Sequence, residues 1–179
     1  MHPQPILAFW FEKLTPKQHF AKDAALDEAI RTRFGATLEA AAQCELFGWR
    51  STPEGRLAEI IVLDQFSRNV YRDTPRAFAQ DALALVLAQE LVTSTQDRSL
   101  TVAQRIFAYM PYMHSESALV HTQAVALFRQ LGIQDNLNFE LRHKAIIDRF
   151  GRFPHRNAIL GRGSTTEELA FLQEPGSSF

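Results

Sequence analysis

Apolar side chains recur at three- and four-residue steps along most of this chain, and that spacing restricts it to helices. Leu26, Ile30, Phe34 and Leu38 fall every four residues. Ala82, Leu83, Val86, Leu87 and Leu91 form another stripe, and Val102, Ile106, Phe107 and Met110 follow. Residues so spaced share one face of an α-helix. A strand needs alternation by twos, and the chain has neither sustained alternation nor an Asn-Gly hairpin turn. Leu57 and Ile61 keep the helical step, but the next member, Phe66, comes one residue late.

Punctuation supports the same reading. Thr15-Pro16, Thr52-Pro53 and Thr74-Pro75 each read as a helix start. Threonine caps a helix, and proline tolerates the first turn because its missing N–H would be unpaired there. Thr165 and Glu168 have the spacing of a capping box. Gly132 stops the stripe Ala118, Val125, Leu127, Phe128, Leu131, and Gly151 stops Leu141, Ala145, Ile146, Phe150. Pro111 is expected to kink or end its helix, and Ser115 to cap the next. The expected fold is all-α, with about seven to nine helices in antiparallel pairs joined by short connections. With no long linker or low-complexity stretch, residues 1–179 read as one helical domain.

Charge removes several function classes. Nineteen basic residues oppose twenty acidic ones, for a formal net charge of −1. Such a chain has no overall field to draw it to nucleic acid or an anionic membrane, so neither is expected as a partner. No run approaches the roughly 20 apolar residues of a membrane span. Cys44 is the one cysteine, and the first residues do not read as a secretion signal, so a cytoplasmic location is expected. Phosphate-loop, dinucleotide and Gly-x-Ser-x-Gly patterns are absent. No His-x-x-x-His pair supports a metal, and whether a cofactor is used is unknown from the sequence.

Polar residues crowd four segments. From Leu63 to Arg76, Asp64 and Arg68 share a helix face, as do Gln65 and Asn69, inside a helix apolar on most sides; Arg72 and Arg76 follow. A buried Asp and Arg there need each other or a ligand. His114 and Glu116 fall at a helix junction, where a polar side chain can meet an anion or a proton donor. His143 to Asn157 is the densest segment: Arg149, Arg152, His155, Arg156 and Asn157 surround Gly151 and Pro154. Clustered arginines grip carboxylates or phosphates in bidentate fashion, and they also pair with nearby acids such as Asp148. Gly161-Arg162-Gly163 could cradle an anion, although two glycines are a weak signal.

Several of these segments resemble a known pattern. Asp64-Gln-Phe-Ser-Arg-Asn69, Thr74-Pro-Arg-Ala-Phe-Ala-Gln-Asp81, Tyr109-Met-Pro-Tyr-Met-His-Ser-Glu116 and Arg149-Phe-Gly-Arg-Phe-Pro-His-Arg-Asn157 resemble a bacterial family catalogued as domain of unknown function 924. Phe9-Trp-Phe11 and Gly161-Arg-Gly-Ser-Thr165 also fit, while Ser67 stands where the pattern has proline. The resemblance implies a tetratricopeptide-like helical superfold. It implies no activity, cofactor or catalytic residue.

Residue chemistry therefore leaves three readings. A pocket between helices would hold a small phosphate- or carboxylate-bearing ligand through Arg68, Arg149, Arg152 and Arg156. If it is catalytic, Asp64, His114, Glu116 or His143 would move protons. A helical scaffold would instead bind a peptide or protein partner through an exposed set drawn from Phe9, Trp10, Phe11, Phe47 and Trp49. Third, the polar segments would form an interior network that fixes the fold.

Overall fold

The structure is a computed structural model and describes residues 1–178. Its helices are α1 (Gln4–Ala8), α2 (Pro16–Phe20), α3 (Ala24–Ala42), α4 (Pro53–Ile61), α5 (Ser67–Val70), α6 (Asp81–Thr93), α7 (Val102–Met113), α8 (Ala118–Leu131), α9 (Gln134–Phe150) and α10 (Thr166–Phe171). No strand occurs among the described residues, so the fold is all-α. No helix there is long and apolar enough to cross a membrane.

Two π-helical turns interrupt this pattern, Phe9–Lys13 after α1 and Val62–Phe66 between α4 and α5. The second explains the late Phe66. A wide turn absorbs one extra residue, so the apolar face of α4 resumes at Phe66 and stays buried. The same turn carries Asp64, which is fully buried.

Helix starts follow the threonines with one exception. Thr15 opens α2, and the Thr52 hydroxyl accepts from Gly55 N at 3.1 Å to open α4. After Thr74, Pro75–Ala77 makes only a 3₁₀ turn, and α6 begins at Asp81. The Thr165–Glu168 capping box forms, and Gly132 and Gly151 end α8 and α9 in the left-handed region. Pro111 sits inside α7, which runs on to Met113 and stops at His114. Ser115 does not cap α8: Ser117 holds that position, and Ser115 Oγ accepts from Ser117 N instead.

The main core gathers α1, α3, α4, α6, α7 and α8 around Trp10, Phe34 and Phe66. Phe9, Trp10 and Trp49 are buried there, while Phe47 is exposed, so these aromatics do not form an open surface. A smaller core of Ile146, Ile147 and Phe153 lies under the end of α9 and is closed by Phe150 and Phe171. α7 packs on α8 and α8 on α9. Between α8 and α9 lies a fully buried pair, His121 Nδ1 against Glu140 Oε1 at 2.8 Å, with His121 Nε2 at 2.8 Å from Ser115 O.

Candidate functional site

Five elements converge on one polar cluster. Asp64 comes from the π turn, Arg68 from α5, Asp81 from the first turn of α6 and His114 from the end of α7; Arg156 arrives from a 3₁₀ turn, Pro154–Arg156. His114 Nδ1 lies 2.7 Å from Asp64 Oδ1. A carboxylate can only accept, so this nitrogen carries the proton and donates. Gln65 Nε2 donates to the other Asp64 oxygen at 2.6 Å. Arg68 Nη1 lies 3.0 Å from Asp64 Oδ1 and donates to the Asp64 carbonyl, a main-chain acceptor within the wide turn.

Asp81 then joins two cations. Arg68 donates to both its oxygens, at 2.9 and 3.0 Å, and Arg156 Nη1 donates to Oδ2 at 3.1 Å. Arg156 Nη2 donates to the His114 carbonyl. The Arg156 guanidinium stands 4.6 Å from each of the Phe78 and Phe153 rings, and its Nε is buried with no hydrogen-bond partner.

Electrostatics set the protonation. Burial and nearby Arg68 bring the Arg156 pKa down to about 10, which still leaves it charged at neutral pH. Burial pushes the Asp64 carboxyl up, but His114 and Arg68 outweigh it and hold the group well below the usual range. Burial lowers His114 despite the opposing pull of Asp64, so its imidazole is neutral near pH 7. Two carboxylates balance two guanidiniums, and the cluster carries no net charge. His114 Nε2 has no hydrogen bond among the described residues, and the side chains of His114, Arg68 and Asp81 remain 16–21% exposed. An oriented base with an open nitrogen therefore stands beside two arginines.

A second cluster abuts the first. Glu116 accepts from Arg162 in bidentate fashion at 2.6 and 2.9 Å and from Phe153 N at 2.7 Å. Burial would raise Glu116, but Arg162 and the Phe153 N–H bring it below its ordinary value. Arg162 also donates to Asn157, which is fully buried and donates to Ser164. Arg152 grips Glu168 at 2.6 and 2.7 Å and reaches the Gly163 carbonyl. His143 donates from Nδ1 to the Phe139 carbonyl, and both His143 and His155 pack on Phe153.

Of the residues singled out in the sequence, Asp64, Arg68, His114 and Arg156 meet. Glu116, Asn157, His143 and His155 lie next to them around Phe153. Arg152 belongs to the loop beyond, bound to Glu168. The rest go elsewhere. Asn69 and Arg72 both bind Asp27 of α3. Arg76 and the Tyr71 hydroxyl both bind Glu39. Arg149 pairs with Glu167 near α10. Two members were not among the candidate site residues: Asp81, and Arg162, whose glycine loop read only as a weak anion cradle. Asp81 ends a recognised motif, and Arg162 sits between the two loop glycines, but neither position shows its partner along the chain.

The profile of the family described as "Bacterial protein of unknown function (DUF924)" matches residues 6–176. The chain belongs to that family. A solved structure titled as a protein of unknown function, ATU0120, from Agrobacterium tumefaciens is 39% identical, covers 96% of each chain and superposes with a TM-score of 0.91. Comparison with curated proteins finds no match. This DUF924 chain thus shares its helical architecture with a bacterial protein of unknown function. Among its described residues, no group of three or more His, Cys, Asp or Glu side chains is placed to hold a metal ion.

Proposed function

We propose that the cluster of Asp64, Arg68, Asp81, His114 and Arg156 binds a small phosphate- or carboxylate-bearing ligand, with His114 as its proton-transfer group. The observation that carries this reading is the pairing of one open imidazole nitrogen with two guanidiniums. Asp64 fixes the His114 tautomer through Nδ1, which leaves Nε2 as a neutral base. Arg68 and Arg156 are held close despite mutual repulsion, with Asp81 as the shared anion. A ligand oxyanion would accept from the N–H groups of Arg68 and Arg156 that Asp81 leaves free.

The charge balance has a consequence. An anion entering a neutral cluster gives it excess negative charge, which favours protonation of His114. Binding is then accompanied by proton uptake and is stronger at pH 6 than at pH 8. The test is thermal unfolding against inorganic phosphate and a panel of phosphorylated and carboxylated metabolites at both pH values. A ligand present at about a hundred times its dissociation constant adds roughly 2.7 kcal/mol. The expected shift is larger at pH 6 and disappears in folded His114→Gln and Arg156→Gln variants. No shift with any anion at either pH, or one that survives both substitutions, would leave the cluster as an internal brace.

A further inference from the structure

Between α8 and α9 a histidine and a glutamate face each other with no exposed surface, and the anion cluster uses neither. His121 Nδ1 lies 2.8 Å from Glu140 Oε1, and His121 Nε2 lies 2.8 Å from the Ser115 carbonyl oxygen. A carbonyl only accepts, so Nε2 carries a hydrogen and donates it. One proton is then left to place between Nδ1 and Oε1. Either it makes an imidazolium beside a carboxylate, or it stays on the glutamate and Nδ1 accepts from it.

The second Glu140 oxygen decides between the two. Oε2 is buried and has no hydrogen-bond partner among the described residues. Other buried carboxyl groups are held on both oxygens. Glu59 takes Arg50 at 2.6 and 2.7 Å, Asp64 takes His114 and Gln65, and Glu168 takes Arg152 at 2.6 and 2.7 Å. A carboxylate oxygen out of water and without a donor is far costlier than the carbonyl oxygen of a neutral acid. The charged group of α9 one turn away, Lys144, directs its ammonium to Asp148 at 2.6 and 2.7 Å. Phe153 meets the His121 ring edge-on at 6.2 Å and adds an apolar wall. Burial pushes the Glu140 carboxyl up, and the opposing pull of His121 and Lys144 does not cancel it.

We propose that Glu140 is a neutral carboxylic acid in the folded protein, that its O–H donates to His121 Nδ1, and that the two are positioning residues for the junction between α7 and α8. Ser115 stands between His114, the base, and Glu116, the anchor of the second cluster. His121 holds the Ser115 carbonyl from α8, while Arg156 holds the His114 carbonyl from the Pro154–Arg156 turn. Two successive carbonyls are thus fixed by donors from different elements, and they set the angle at which the end of α7 delivers His114 to Asp64. A neutral His121 does this only with its hydrogen on Nε2, and an O–H facing Nδ1 enforces that tautomer. The positioning role rests on the reading of His114 as the base of the anion site; the proton on Glu140 does not.

Infrared spectroscopy at pH 7 reads that proton. The difference between the wild type and Glu140→Gln should contain the C=O stretch of a carboxylic acid, displaced by isotope labelling of glutamate. A carboxamide puts an N–H where the acid has its O–H and a carbonyl where Oε2 lies. Glu140→Gln should therefore melt with the wild type and keep the His114 titration, followed by NMR of the imidazole signals. His121→Phe keeps the ring and removes the donor to Ser115, and His121→Asn, too short to reach, does the same should the first not fold. In either, His114 should titrate higher, closer to an ordinary imidazole, as water enters around it. A difference spectrum with carboxylate bands alone, or a large fall in the melting temperature of Glu140→Gln, would show an ion pair and overturn the assigned proton. A folded His121 variant with an unchanged His114 titration would overturn the positioning role. None of these readouts uses a ligand, so they are decided separately from whether an anion binds.

Discussion

Among the described residues nine of the fifteen arginines pair with a carboxylate, and what distinguishes the pairs is how much water remains around each. Asp64 has no exposed surface, and its partners Arg68 and His114 are largely covered. Replacing Asp64 with Asn leaves His114 Nδ1 facing a neutral amide and removes one of the two carboxylates that hold Arg68; because Arg68 keeps Asp81, the cost should be about 3 kcal/mol, the lower end for breaking a buried pair from one side. Glu39 and Arg76 pair at 2.6 Å as well, but their side chains are 50% and 59% exposed. Glu39→Gln should change stability by no more than about 0.5 kcal/mol, because solvent screens such a pair. Urea unfolding of the two variants checks both statements. Comparable losses in the two would mean that burial does not rank these ion pairs.

Among elements, two glycines illustrate different constraints. Gly55 lies in the first turn of α4, and a Cβ there would sit 2.1 Å from the Trp49 carbonyl oxygen. Neither backbone can yield without separating α4 from the 3₁₀ turn Phe47–Ser51 before it. Gly55→Ala should therefore cost about 3 kcal/mol, the upper end for overpacking. Gly132 has open space around it but a φ of +80°. Gly132→Ala should cost only about 1–2 kcal/mol, the strain of an L-residue in the left-handed region. The order of the two urea midpoints is the measurement, and a reversed order would contradict the packing of α4. Helix ends like Gly132 were legible from the sequence, since an αL stop is a local property. The contact of Gly55 with Trp49 was not, because a glycine in a first turn looks like any other.

At the scale of the molecule, the end of α9 and the loop after it form a region of neutral buried histidines. Burial lowers His143 to about 3 and His155 to about 4, and His114 also lies below its ordinary value. In the unfolded chain each takes up a proton near pH 6.5, well before the folded protein does. The unfolded state thus binds more protons between pH 6.5 and about 3–4, and stability falls as pH drops through that window, by up to about 1.4 kcal/mol per pH unit for each histidine. Glu140, raised by burial, acts in the opposite sense and offsets part of the loss. Urea midpoints measured from pH 8 down to pH 4.5 should decline steadily below pH 6.5. A flat profile would show that these imidazoles titrate as freely folded as unfolded.

The helices of this chain, their caps and much of their buried face were determined by local spacing, because a helix satisfies its own backbone and needs only one apolar stripe to find a core. Even the π turn left a mark, in a stripe that resumes one residue late at Phe66. Which polar residues meet was decided by the tertiary structure alone. Arg68 and Arg72 are one helical turn apart, yet Arg68 turns to Asp81 and His114's partner Asp64, while Arg72 reaches Asp27 of α3. Asp81 and Arg156 are 75 positions apart and share a hydrogen bond. The physical reason is that a charge selects its partner by distance in space and by the water excluded between them, and neither quantity exists until the helices have packed.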